Sequence, residues 1–117
     1  MHITPDFEFS IEFLDAARAK FSNEYNALEE QSRTKFSRKN KVAMQDAYDA
    51  LGIAEGLSEL IRKFVGASQT MPISPKQPIT IDSDTLDEIV QEAVSEPAPA
   101  QKALMKLARF HNEYNAR

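Results

Sequence analysis

The chain has 117 residues, 42% of them hydrophobic and 27% charged, with a formal net charge of −4 and a pI near 5.2. That length suffices for one compact domain, or for a smaller domain plus a tail, and the acidic balance argues against global attraction to nucleic acid or an anionic membrane. The absence of cysteine excludes disulfides and thiolate metal sites.

In chain order, Thr4-Pro5-Asp6 reads as a helix start, with Thr as N-cap, Pro at the first helical position and acidic residues near the positive end of the dipole. Phe7, Ile11, Leu14, Phe21, Tyr25 and Leu28 then recur at alternating four- and three-residue steps, with Arg18 in the one gap. Phe9, Phe13 and Ala17 widen that stripe. A helix from about residue 5 to about residue 33 is expected, roughly 40 Å long. A basic turn follows, and Ser37 and Asn40 both suit the N-cap of the next helix.

The second helix carries two seams. Met44, Ala47, Leu51, Ala54, Ser58, Ile61 and Val65 form one, and Ala50, Ile53, Leu57, Leu60 and Phe64 form the other. Two apolar faces predict deeper burial than in the first helix. Leu14, Phe21, Leu51 and Ile61 are the expected hairpin core. Gly52 and Gly56 either admit another backbone or mark a kink. Gly66 stands where a C-cap glycine is wanted.

Residues 67–78 contain three prolines at three-residue spacing, which favours an extended connector. Ile79-Thr80-Ile81 is β-prone but too short for a sheet of its own, and suits addition to a sheet edge on a partner. A helix is expected over 84–95, capped by Ser83 or Asp84, with Thr85 and Glu88 as a capping box. Pro97 and Pro99 break it, and a last helix runs over 99–114.

The fold class expected is therefore all-α. A long antiparallel helical hairpin occupies residues 1–66, a Pro-containing connector 67–83, and two shorter C-terminal helices 84–117. Charge is segregated in the last part: residues 82–96 hold six carboxylates and no base, while Lys102, Lys106, Arg109 and Arg117 face only Glu113 over 99–117.

No chemistry-bearing motif stands out. Gly-rich phosphate loops, a nucleophile elbow and His-x-x-x-His spacing are all absent. Asp46 with Asp49, and Glu8 with Glu12 and Asp15, read as solvated helix faces rather than acid–base pairs. His2 and His111 have no metal-ligand spacing. The expectation is a non-enzymatic protein with no cofactor and no metal.

No run of about 18 apolar residues is present, so no membrane span is expected. Met1-His2-Ile3-Thr4-Pro5-Asp6 lacks the basic start and apolar stretch of a secretory signal, which makes the cytoplasm the expected location.

Helices as short as the last two are marginal alone in water, so they must fold on the hairpin, on a second copy or on another protein. If the tail docks on a partner, Leu86, Ile89, Leu104, Leu107 and Phe110 are the expected anchors. Lys102, Lys106 and Arg109 would then steer association. An alternative function uses the turn, where Lys35, Arg38, Lys39 and Lys41 could contact nucleic-acid phosphates with Phe36 available for stacking. A solvated turn is the plainer reading of the same residues. A homodimer built by pairing hairpins is the third possibility.

The segment Ile79-Thr80-Ile81, the helix bearing Leu86 and Ile89, and the run Pro97-Ala98-Pro99-Ala100-Gln101-Lys102-Ala103-Leu104 together carry a family pattern. From Ile79 to Leu107 the chain resembles the toxin-neutralising tail of antitoxins that pair with acetyltransferase toxins. Those tails show a short hydrophobic strand, a helix, a Pro-x-Pro break and a helix opening with Ala-Leu. The resemblance implies binding to a toxin-type protein. The family's N-terminal ribbon-helix-helix DNA-binding module has no counterpart in residues 1–66, so DNA binding and operator autoregulation do not carry over.

Overall fold

The computed structural model describes residues 7–35, 37–68 and 74–116, without the side chains of 64–68. Strand β1 (Phe7–Phe9) leads into helix α1 (Ile11–Thr34), and helix α2 (Arg38–Ser68) returns alongside it. Strand β2 (Ile79–Ile81), helix α3 (Ser83–Ala93) and helix α4 (Pro97–Asn115) complete the order. The architecture is the expected one: a long helical hairpin with two shorter C-terminal helices packed together, plus a two-stranded ribbon.

The first helix begins later than the sequence pattern predicts. Phe7–Phe9 is extended, with Phe9 buried and Glu8 exposed, and pairs antiparallel with β2 in the register Phe7↔Ile81, Glu8↔Thr80 and Phe9↔Ile79. Ser10 rather than Thr4 is the N-cap; its hydroxyl accepts the Phe13 amide at 3.1 Å. The Thr4-Pro5-Asp6 signal lies outside the described residues. The Glu12 amide, another first-turn donor without a helical partner, is met by the Pro75 carbonyl at 2.9 Å. Ile79-Thr80-Ile81 thus finds its sheet edge within its own chain.

Helix α2 is capped by Ser37, whose hydroxyl accepts the Asn40 backbone amide at 3.1 Å. Antiparallel pairing of α1 and α2 follows from their cross-helix contacts. The Ser32 hydroxyl reaches Met44 Sδ at 3.4 Å, the rings of Tyr25 and Tyr48 lie 5.9 Å apart, and Leu14 meets Ile61 on the wall of one concavity. Helix α2 runs two residues past Gly66, to Ser68. The predicted connector at 67–78 is helical at its first two positions and forms a turn at 74–77, where the Gln77 amide bonds the Ser74 carbonyl; residues 69–73 lie outside the described set.

Helix α2 is central and packs against α1, α3 and α4. Ala47, Ala50, Ile53, Ala54 and Leu57 are fully buried, which draws on both predicted seams. Leu14, Phe21 and Ile61 are buried as expected, whereas Leu51 is only half-buried at the margin of the core. Ile89, Val90, Val94, Ala100, Ala103, Leu107 and Phe110 join the hairpin residues in one continuous apolar cluster. The C-terminal helices therefore complete the hairpin's own core, which would otherwise leave an apolar face wet.

The small residues of α2 make this possible. A Cβ added at Gly56 would stand 2.8 Å from Ile89 Cγ2, while one at Gly52 would meet Ala93 Cβ at 3.6 Å. The two glycines thus admit α3 to close approach. Overpacking costs about 1–3 kcal/mol, against a gain of about 1 kcal/mol when Ala replaces a helical Gly. Gly56→Ala is expected to lower stability, because the branched Cγ2 of Ile89 cannot swing aside freely. Gly52→Ala should leave it unchanged or raise it by up to about 1 kcal/mol. Paired thermal melts decide; equal gains from both would mean that α3 does not cross α2 at Gly56.

Helix α3 is capped by Asp82, one residue before the predicted candidates, and its carboxylate accepts the Thr85 amide at 2.7 Å. Pro97 and Pro99 both fall in the first turn of α4, where missing amide hydrogens cost nothing. The break itself is the short extended link around Val94 and Glu96.

Candidate functional site

Two concavities flank the α3–α4 link. The first, about 560 Å³, is lined by Val90, Val94, Pro97, Ala100 and Leu104, with Asp87 at its rim. The second, about 340 Å³, lies between α2 and the link and is lined by Gln45, Tyr48, Asp49, Ser95, Glu96 and Pro99 among others.

Asp49 sets the second apart. Its side chain is only 5% exposed, Oδ1 accepts the Gln45 amide at 2.8 Å, and Oδ2 is buried without a hydrogen-bond partner. Buried polar atoms are nearly always paired, so an orphaned carboxylate oxygen calls for a reason. Burial pushes its carboxyl above the ordinary aspartate range; the Gln45 hydrogen bond opposes this, and the negative charge of Asp46 adds to it. The sequence pattern places Asp49 on a solvated face. The structure corrects this, because the α3–α4 link closes over that part of α2.

The consequence for pH is definite in sign. A carboxyl with a raised folded pKa is ionised more readily in the unfolded chain. Stability therefore falls as pH rises from the unfolded to the folded pKa, and the loss is complete above the latter. Asp82 acts oppositely: hydrogen bonds from Thr85 hold its carboxyl below the usual range, so its contribution is present above the unfolded pKa and is lost as pH falls through the folded one. Asp49→Asn should remove the first effect, raising the melting temperature at neutral pH relative to wild type, with the difference shrinking in acid. A constant difference across pH would show that Asp49 is not the titrating group.

The sequence-predicted partner anchors are placed differently from one another. Ile89, Leu107 and Phe110 are buried in the core, and Leu86 and Leu104 are half-buried against it. Lys106 forms an ion pair with Glu24 of α1 and stands over the Phe21 ring, joining α4 to the hairpin. Lys102 and Arg109 are exposed. All six carboxylates of residues 82–96 are exposed, and none forms an ion pair among the described residues.

Lys35, Arg38, Lys39 and Lys41 are exposed at the α1–α2 end, also without an ion-pair partner among the described residues; Phe36 lies outside them. His111 is half-buried, edge-on to Phe13 at 4.8 Å and 5.0 Å from Phe7, in an aromatic cluster.

Sequence reasoning missed Asp49 and Tyr48 as site residues. A usable signal is present, since Val42, Asp46, Asp49 and Ile53 recur at four-three-four steps and put both aspartates on a partly apolar stripe. Among the described residues no three His, Cys, Asp or Glu side chains converge as a metal site, and no helix is long and apolar enough to cross a membrane. No family model, curated protein or solved structure matches the chain.

Proposed function

We propose that the chain is a non-enzymatic interaction protein that binds another protein, and inhibits or modulates it, through its C-terminal helices. The observation that carries this reading is the outer face of α3 and α4. There a groove lined by Val90, Val94, Ala100 and Leu104 has Asp87 in its wall, within a stretch whose six carboxylates are all exposed and form no ion pair among the described residues. A basic partner segment with apolar side chains suits both features: apolar contact in the groove holds it, and the carboxylates steer its approach.

The buried positions of Ile89, Leu107 and Phe110 direct such docking to the outer face, because offering these side chains to a partner would require the tail to leave the core. The likeness of Ile79–Leu107 to antitoxin tails makes an acetyltransferase the first partner to test. The test compares wild type with Asp84→Lys/Asp87→Lys/Glu88→Lys in crosslinking capture from the native source. One stoichiometric protein should be retained by wild type at low salt, released by added salt and lost by the variant at an unchanged melting temperature. Equal capture by both chains overturns the reading.

A second reading rests on the four exposed bases of the α1–α2 turn, which have no ion-pair partner among the described residues and suit a polyanion. Nucleic-acid contact there predicts a steep fall in affinity with salt, abolished by Lys39→Glu/Lys41→Glu. No binding at low salt removes it.

A further inference from the structure

We propose that the cavity between α2 and the α3–α4 link is a guanidinium-binding site that receives an arginine side chain of a partner protein, with Asp49 and Glu96 as its anionic acceptors and the Tyr48 ring as its wall. This deepens the docking reading above by naming the residue that anchors the partner, but the site itself is testable on the chain alone.

The cavity is lined by two carboxylates, the neutral polar side chains of Gln45 and Ser95, and an aromatic ring, with no basic residue among the lining. Asp49 Oδ2 has no partner, although its sister oxygen is held by Gln45. Gln45 is itself exposed, so its side chain can turn out and admit a stronger donor to the carboxylate. Tyr48 is 58% exposed, unusually open for a large ring, and its ring centroid lies 5.9 Å from that of Tyr25. Glu96 is exposed at the mouth.

This set distinguishes between cations. A guanidinium is planar, presents five donors in a fixed fork, is weakly hydrated and stacks on aromatic faces. It can bond one carboxylate at the floor and another at the mouth while lying against a ring. An ammonium is more strongly hydrated and lacks the flat face. A divalent metal needs more oxygen ligands than two carboxylates supply. Once Gln45 has turned out, a guanidinium gives Asp49 a charge-assisted bond in place of a neutral one, and that carboxylate is already largely desolvated.

The experiment is an NMR titration of the isotope-labelled full chain with N-acetyl-arginine methylamide. The lysine analogue and the neutral, isosteric citrulline analogue serve as comparisons. The arginine probe should bind weakly, at about millimolar affinity. It should saturably shift the Asp49 carboxyl carbon and the amides of Tyr48, Ser95 and Glu96, with the lysine probe weaker and the citrulline probe silent. Asp49→Asn should weaken arginine binding about tenfold or more, a loss of at least about 1.4 kcal/mol. Glu96→Gln and Tyr48→Leu, both at exposed side chains, should weaken it without altering the melt, and they decide the matter if Asp49→Asn does not fold.

Shifts scattered over the acidic surface, or equal binding by wild type and the variants, overturn the proposal and leave Asp49 as a protonated or water-bridged core carboxyl. Partner capture that survives such a result leaves the docking reading standing. Arginine binding retained by Asp84→Lys/Asp87→Lys/Glu88→Lys, with no partner captured by wild type, removes the docking reading and keeps the site.

Discussion

Leu107→Asp is expected to unfold the whole chain rather than release a tail from an intact hairpin. Leu107 is fully buried in the cluster that α4 shares with α1 and α2. Truncating a buried leucine costs about 2–5 kcal/mol through lost transfer energy and the cavity left behind. An unpaired carboxylate in the same place adds several kcal/mol more. Stabilities run at roughly 0.05–0.15 kcal/mol per residue, so the combined penalty reaches the order of the total. Leu107→Ala should stay folded, with a single urea transition shifted by the smaller amount, and the exposed Arg109→Ala should change stability by less than about 0.5 kcal/mol. Far-UV circular dichroism with urea titration reads all three. A hairpin transition unchanged in Leu107→Asp, beside loss of only the helical signal of α4, would show that α4 does not share the hairpin's core.

How far the sequence led is clearest at the ends of the elements. The two long helices were legible because their apolar spacing persists over many turns, and the Pro97/Pro99 break because proline excludes helical continuation. Strand β1 was hidden by coincidence of register. Phe7 lies four residues before Ile11, so it fits the helical stripe as well as it fits the period-two pair Phe7/Phe9. Only the pairing of Phe7–Phe9 with Ile79–Ile81, about seventy residues away in the chain, resolves it. Ser10, a residue type as able to cap as Thr4, is the one that caps α1, because Phe7–Phe9 is taken up in the strand pairing.

The same non-local dependence explains the glycines and the site. Gly52 and Gly56 could mean a kink or a close crossing until Ala93 and Ile89 are placed against them. Asp49 falls on a partly apolar stripe of α2, but what covers that stripe is decided only when the α3–α4 link is placed over it. Local rules place elements, whereas burial at a crossing belongs to residues distant in sequence.

Phe13→Ala should be among the most destabilising single changes in the chain, at about 3–5 kcal/mol. Its ring is 1% exposed and lies where the start of α1 meets the end of α4. It stacks on Phe110 at 5.6 Å and meets His111 and Tyr114 edge-on at 4.8 and 5.5 Å. Offset and edge-to-face pairs add about 0.5–1.5 kcal/mol each beyond the area they bury, though not additively when they share a ring. The effect should also travel. Phe7 packs on Phe9 and His111, so loosening His111 removes the support of β1, and β1 is the partner of β2. Hydrogen exchange in Phe13→Ala should therefore show faster exchange at β1 and β2, and near-ultraviolet dichroism should lose tyrosine signal from Tyr114, at denaturant concentrations where α2 is still protected. A cost below about 0.5 kcal/mol, the range of surface substitutions, would mean that the aromatic cluster does not hold α4 to the hairpin. A full cost with unchanged protection of the strands would mean that the ribbon is held by its own pairing and by Phe9, independently of His111.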